Sequence, residues 1–222
     1  VQECWASLFE ARAIFYRQQA GFEHLKVGIA VVVQHMVQSE RSGVLFTLEP
    51  VTGDRDKIVI EAILGLGEAV VSGAVTPDYY VIDKKSLAIR SKKVERQERQ
   101  LVRNPDAAPG QENNVWLDIP AASGQAQKLT DEQIAELAEI GSRVEEHYGR
   151  PQDIEWAAEG GKFYLVQARP VTVTGAADDG AAESGLEGET APVLVEGSPA
   201  SPGVAFGPVK IVLSPEGIDQ VE

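Results

Sequence analysis

The chain is 222 residues long, 43% hydrophobic and carries a net charge of −14. Its length suits one large or two small domains with a sizeable core. One cysteine rules out an internal disulfide, no apolar run approaches the ~20 residues of a membrane span, and the acidic balance argues against nonspecific nucleic-acid binding. The charge is uneven: residues 174 to 222 hold nine acidic residues and one lysine, net −8, which leaves −6 for the first 173. No basic stretch and apolar signal core open the chain, so a cytoplasmic protein is expected, with no membrane partner.

In chain order, Glu3 to Ala20 has helical composition, with Trp5, Leu8, Phe9 and Phe15 as its expected buried stripe, and Gly21 ends it. Val27 to Val37 is a β-branched run, expected as a buried strand. A turn over Ser39 to Gly43 leads to a second strand, Val44 to Leu48, and Lys57 to Ile63 forms a third. Gly65 to Gly73 is glycine-rich. Tyr79 to Asp83 and Leu87 to Ser91 predict a hairpin, followed by a polar, charged stretch to Arg103 that is open to continuing as a strand. Asn104 to Asn114 reads as a surface loop. Thr130 and Gln133 form a capping box that opens an amphipathic helix to about Tyr148, with Ile134, Leu137, Ile140 or Gly141, and Val144 on its apolar side. Gly175 to Glu189 has almost no bulky apolar residue and reads as a linker, and Val209 to Leu213 as a first strand of a further unit.

The most informative segment lies between that helix and the linker. Asp153-Ile154-Glu155-Trp156, a turn through Glu159-Gly160-Gly161, and Phe163 to Pro170 predict a β-hairpin. Alternation puts Asp153 with Glu155, and Gln167 with Arg169, on the same side of their strands. A three-residue loop centred on Gly161 would set Glu155 opposite Gln167 and Asp153 opposite Arg169, leaving Ile154, Trp156, Val166 and Ala168 for the core. Carboxylate and amide oxygens are hard ligands of the kind Mg2+ prefers, and a guanidinium matches phosphate oxygens. These residues suit a metal-bound polyphosphate; a surface hairpin with one exposed Asp153–Arg169 salt bridge is the plain alternative.

The Asp-x-Glu and Gln-x-Arg strands resemble the end of the nucleotide-binding domain of the phosphoenolpyruvate synthase and pyruvate phosphate dikinase family. The likeness extends over nearly the whole chain. Cys4 to Phe9 with Arg12, Ala13, Ile14, Tyr16 and Arg17 is similar to a helix of that domain, and Val27 to Gln34, Met36, Val37, Ser42 to Phe46, Pro50 and Gly53 are similar to its next two strands. Gly65-Leu66-Gly67-Glu68-Ala69-Val70-Val71-Ser72-Gly73 with Pro77-Asp78 is the most family-specific run. Ala200 to Ala205 with Gly207-Pro208-Val209 resembles the opening of the mobile phosphohistidine domain.

The resemblance implies an α+β fold: an ATP-grasp-like lobe with a mainly antiparallel sheet and packed helices over residues 1–173, a flexible acidic linker at 174–192, and the incomplete start of a swivelling phosphohistidine domain at 193–222. It implies a fragment of an ATP-dependent dikinase that makes phosphoenolpyruvate from pyruvate through a phosphohistidine. ATP and Mg2+ are the implied cofactors. Glu155 and Gln167 would ligate the metal, Asp153 would support the metal or Arg169, and Arg169 would neutralise charge on the transferred phosphoryl group. Gln34 would reach the adenine region, although a plain strand-end glutamine is the alternative. Glu68 and its glycines would shape the nucleotide or acceptor side of the cleft; without the resemblance that run reads first as a tight structural turn, with a phosphate-cradling loop as the alternative.

The implied partners are the other domains of the full-length enzyme: an N-terminal ATP-grasp lobe, the phosphohistidine domain and a pyruvate-binding domain. A homo-oligomer is left open. None of His24, His35 or His147 has the family's phosphohistidine context, so all three are expected to be structural or surface residues, and Cys4 a packed side chain. The isolated chain is expected to be inactive. A rifampin phosphotransferase of the same family and a noncatalytic nucleotide-binding module are the alternatives.

Overall fold

A computed structural model describes residues 1–108 and 113–171, and the expected linker and phosphohistidine segment lie outside these residues. The chain divides into two compact units, Val1–Val37 and a second that begins at Gln38.

The first unit holds α1 (Gln2–Ala6), one 3-10 turn at Ser7–Phe9, and α2 (Ala11–Gln19). The single helix expected over Glu3 to Ala20 is therefore broken, at Glu10, whose backbone is extended. The expected apolar stripe is not buried: Trp5, Phe9 and Phe15 are all exposed. The buried side chain of α2 is instead Arg17, which donates to the Leu8 carbonyl at 2.6 Å and to His24 Nδ1 at 3.3 Å. Val27 to Val37 forms no strand, and Val32 and Val33 are 82% and 86% exposed. A β-prone segment becomes a strand only when a neighbouring strand accepts its backbone bonds, and this segment pairs with no strand among the described residues.

The second unit is built on a six-stranded sheet in the order β4-β3-β2-β1-β7-β8. Its strands are β1 (Arg41–Phe46), β2 (Lys57–Leu64), β3 (Asp78–Asp83), β4 (Ile89–Lys93), β7 (Gln152–Glu159) and β8 (Lys162–Pro170), and every adjacent pair is antiparallel. The register aligns Tyr80, Ile60, Leu45 and Ile154 in one row across four strands, and all four are fully buried. Over them lies α5 (Asp131–Tyr148), through Ile134, Leu137 and Ala138. Its N-terminus carries the expected capping box: the Gln133 amide donates to Thr130 Oγ1, and the Thr130 amide to Gln133 Oε1. Gly141 lets the helix approach closely, because a Cβ there would stand 2.6 Å from a methyl of Leu45.

A second, smaller cluster covers one end of the opposite face. β5 (Arg99–Arg103) and β6 (Asn114–Asp118) form a two-stranded ribbon, which with α3 (Glu68–Val71) gathers Ile63, Leu66, Ala69 and Leu101 into a core beside Trp116. The buried Gln97 side chain ties this ribbon to β2, accepting from the Leu64 amide and donating to the Leu64 carbonyl, both at 2.8 Å. A short helix α4 (Ala121–Gln125) precedes α5. The rest of that face, towards the Lys57 end of β2, carries the polar residues of interest.

Candidate functional site

The β7–β8 hairpin has the expected partners by a different route. Its turn has two residues, Gly160 and Gly161, both with positive φ (58° and 76°), between the paired Glu159 and Lys162. Such a turn demands glycine-like conformations at both positions and matches the twist of the strands. Regular pairing from it would set Glu155 opposite Val166 and turn Gln167 and Arg169 to the helix side. A bulge prevents this. Trp156 pairs with Leu165, Glu155 with Gln167, and Val166 is the extra residue between them. Asp153 then faces Arg169, so all four polar side chains share the face opposite α5. Of the expected core positions, Ile154 and Trp156 are buried, whereas Val166 and Ala168 are exposed because β8 is an edge strand.

Arg169 donates from Nε to Asp153 Oδ2 at 2.8 Å, and its Nη2 stands in ion-pair contact with the same oxygen, also at 2.8 Å. Its guanidinium stays 65% exposed while Asp153 is nearly buried at 12%, so the carboxylate anchors and the arginine presents its remaining donors to solvent. The bond to Asp153, with the nearby charge of Glu155, raises the affinity of Arg169 for its proton. The side chains of Glu155 and Gln167 have no hydrogen-bond partner among the described residues, which leaves their oxygens unengaged. No group of three or more His, Cys, Asp or Glu side chains among those residues is arranged to hold a metal ion by itself.

The register carries the polar row further than the hairpin. Gln167 faces Glu155, Glu155 faces Val44, Val44 faces Glu61, and Glu61 faces Tyr79. Burial, then the charge of Asp153, pushes the Glu61 carboxyl above its ordinary value. Burial, with the charges of Glu49 and Glu61, pushes the Tyr79 phenol up to about 12. Its hydroxyl lies 3.5 Å from Glu49 Oε1. Against the effect of burial, bonds from Thr52 and from the Val51 amide hold Glu49 below its usual range. Glu61 and Tyr79 were not singled out from the sequence. The signal for Glu61 was present: it is the one acidic residue of the apolar strand Lys57–Leu64.

The other two expected site residues are not in this row. Glu68 is exposed at the start of α3, where Asn114 Nδ2 donates to its carboxylate at 2.9 Å. Beside it the Gly65 and Leu66 amides are bonded to the Glu40 and Leu101 carbonyls, at 3.1 and 2.8 Å, so those two donors hold the loop in place. Gln34 is exposed and belongs to the first unit. His24 accepts from Arg17, His35 and His147 are exposed, and Cys4 is exposed, in contrast to its expected packing.

The family described as pyruvate phosphate dikinase, AMP/ATP-binding domain, matches residues 1–189. The phosphoenolpyruvate synthase of Pyrococcus furiosus is 46% identical over all of this chain, which covers 27% of that relative. A probable phosphoenolpyruvate synthase of Methanocaldococcus jannaschii is also 46% identical, with 18% of its length covered. The phosphoenolpyruvate synthase of Aeropyrum pernix is 40% identical over 97% of this chain and 30% of its own length. The chain thus spans less than a third of each of these relatives.

Proposed function

Since this chain belongs to the pyruvate phosphate dikinase AMP/ATP-binding domain family, we propose that its hairpin face binds Mg-ATP as part of a longer dikinase that converts pyruvate to phosphoenolpyruvate through a phosphohistidine. One observation carries the reading: Asp153, Glu155, Gln167 and Arg169 share one sheet face, with the oxygens of Glu155 and Gln167 unengaged and Arg169 oriented by Asp153. The phosphoenolpyruvate synthases among the relatives support pyruvate, rather than an antibiotic, as the acceptor.

Glu155 and Gln167 would hold Mg2+, and Asp153 serves Arg169 first. The ion, when bound, offsets polyphosphate charge. Arg169 would direct its guanidinium, a rigid fork of donors, at the phosphoryl group transferred from ATP and neutralise the charge that develops there. Transfer of this kind is mostly positioning and electrostatics, and sheet residues fixed by register provide both. Glu68 is a further proposed contact on the ribbon side, and Gln34, in the first unit, a proposed contact of the adenine. Residues 1–173 are the nucleotide-binding portion in this reading, 174–192 a linker, and 193–222 the start of the phosphohistidine domain. No helix among the described residues is long and apolar enough to cross a membrane, and the proposed location is the cytoplasm.

Calorimetric titration of Mg-ATP into the longer protein and its Glu155→Ala variant tests the site. Affinity should fall at least ~10-fold in the variant; equal affinity would overturn the assignment. The chain alone should lack dikinase activity, and pyruvate-dependent consumption of ATP by it would overturn the fragment reading.

A further inference from the structure

Glu61 is not explained by the fold. It sits in the middle of β2, among Ile58, Val59, Ile60, Ala62 and Ile63, and the sheet surrounds it on both sides through β1 and β3. A half-buried carboxylate costs stability unless it is paired. Among the described residues Glu61 accepts no hydrogen bond and has no ion pair, and Asp153, a like charge, is close enough to act on it. An apolar residue would serve the sheet better.

Its position relates it to the hairpin. Glu61 and Glu155 stand on either side of Val44 in one row on one face. Two strand spacings put their Cα atoms ~10 Å apart, a distance that two glutamate side chains and a bridging water can span. Mg2+ characteristically keeps several waters in its coordination shell, and a carboxylate at that distance can act through them.

We propose that Glu61 is a further positioning residue of the nucleotide site: its carboxylate accepts hydrogen bonds from waters in the coordination shell of the divalent cation held by Glu155 and Gln167. The inference rests on the Mg-ATP reading of the hairpin face. Its negative charge strengthens cation binding without entering the inner shell, and Tyr79, next in the row, backs it from β3. Orienting partners of this kind commonly change metal affinity by ~10- to 100-fold.

The test is Mn2+ binding to the longer protein with a nonhydrolysable ATP analogue, followed by electron paramagnetic resonance. Glu155→Gln should abolish saturable binding. Glu61→Gln should weaken it ~10-fold with no fall in melting temperature, and Glu61→Asp should recover part of the loss. A Glu61→Gln affinity within about twofold of the parent, beside a defective Glu155→Gln, would overturn the role of Glu61 alone. Unchanged binding in both variants would overturn the Mg-ATP reading, and this inference with it. If Glu61→Gln lowers the melting temperature and Glu61→Asp shows no intermediate affinity, Glu61 is structural and the proposal fails.

Discussion

Arg169 reaches across the hairpin to a single oxygen of Asp153, which accepts from Nε and pairs with Nη2, each at 2.8 Å. An ion pair with one partner 65% exposed contributes little to stability, about 0–1 kcal/mol, so its value lies in aiming the guanidinium. Arg169→Lys keeps the charge but loses the planar fork. Turnover of the longer enzyme is expected to fall about 100- to 1,000-fold, with a thermal unfolding midpoint close to the parent's. A large loss of stability with proportionate loss of activity would instead mark a structural strut.

The bulge at Val166 leads to an unusual expectation. Because Val166 is the extra residue between the Trp156–Leu165 and Glu155–Gln167 pairs, deleting it restores a regular ladder and leaves Glu155 opposite Gln167 and Asp153 opposite Arg169. Mg-ATP affinity is expected to stay within about tenfold of the parent. Inserting one alanine after Arg169 should also be harmless, whereas inserting one between Gln167 and Ala168 moves Arg169 off the site face and should abolish turnover. Calorimetry and circular dichroism on the three variants check this.

What the sequence revealed and what it concealed follow from the range of the interactions involved. The capping box of α5 is local, involving residues three apart, and Thr130 and Gln133 form it as read. The pairing of the hairpin was legible from alternation, but the reading compensated a loop one residue too long with the omission of a bulge. The helix expected over Glu3 to Ala20 is interrupted at the extended Glu10, and its Trp5, Phe9 and Phe15 stay exposed among the described residues, while Val27 to Val37 forms no strand because β-propensity does not supply a pairing partner. The β5–β6 ribbon was only half anticipated: its second strand starts at Asn114, at the end of the segment read as a loop. Glu61 escaped notice because its significance depends on the neighbours that three strands bring to it.

A buried ion pair fixes the start of β3 to the segment before α5. Lys128 Nζ lies 3.1 Å from Asp78 Oδ1, with both side chains almost wholly buried at 1% and 0% exposure. Asp78 also accepts from the Tyr80 hydroxyl at 2.7 Å and from the Glu95 and Lys128 amides at 2.9 Å each. Lys128 donates further to the Glu95 and Gly124 carbonyls. Removing only the cation strands a buried carboxylate, so Lys128→Met should cost about 3–5 kcal/mol in urea unfolding. A cost below ~1 kcal/mol would mean that the backbone amides alone satisfy Asp78.

The pH dependence of stability should expose Glu61 independently of metal binding. Its folded-state carboxyl titrates above the ordinary value of 4.5, first because it is buried and then because Asp153 is near. The folded protein therefore holds that proton more tightly than the unfolded chain, and this group's contribution to stability falls as pH rises from the ordinary value through the folded one. Above that window the full penalty is present; below the ordinary value it is gone. Glu61→Gln keeps the shape and removes the charge, so without metal and nucleotide the variant should be more stable than the parent at pH 7. The advantage should shrink as the solution is acidified towards pH 4. Denaturant unfolding of parent and variant at the two pH values measures the difference, and an equal effect at both would show that Glu61 is solvated well enough to carry its charge without penalty.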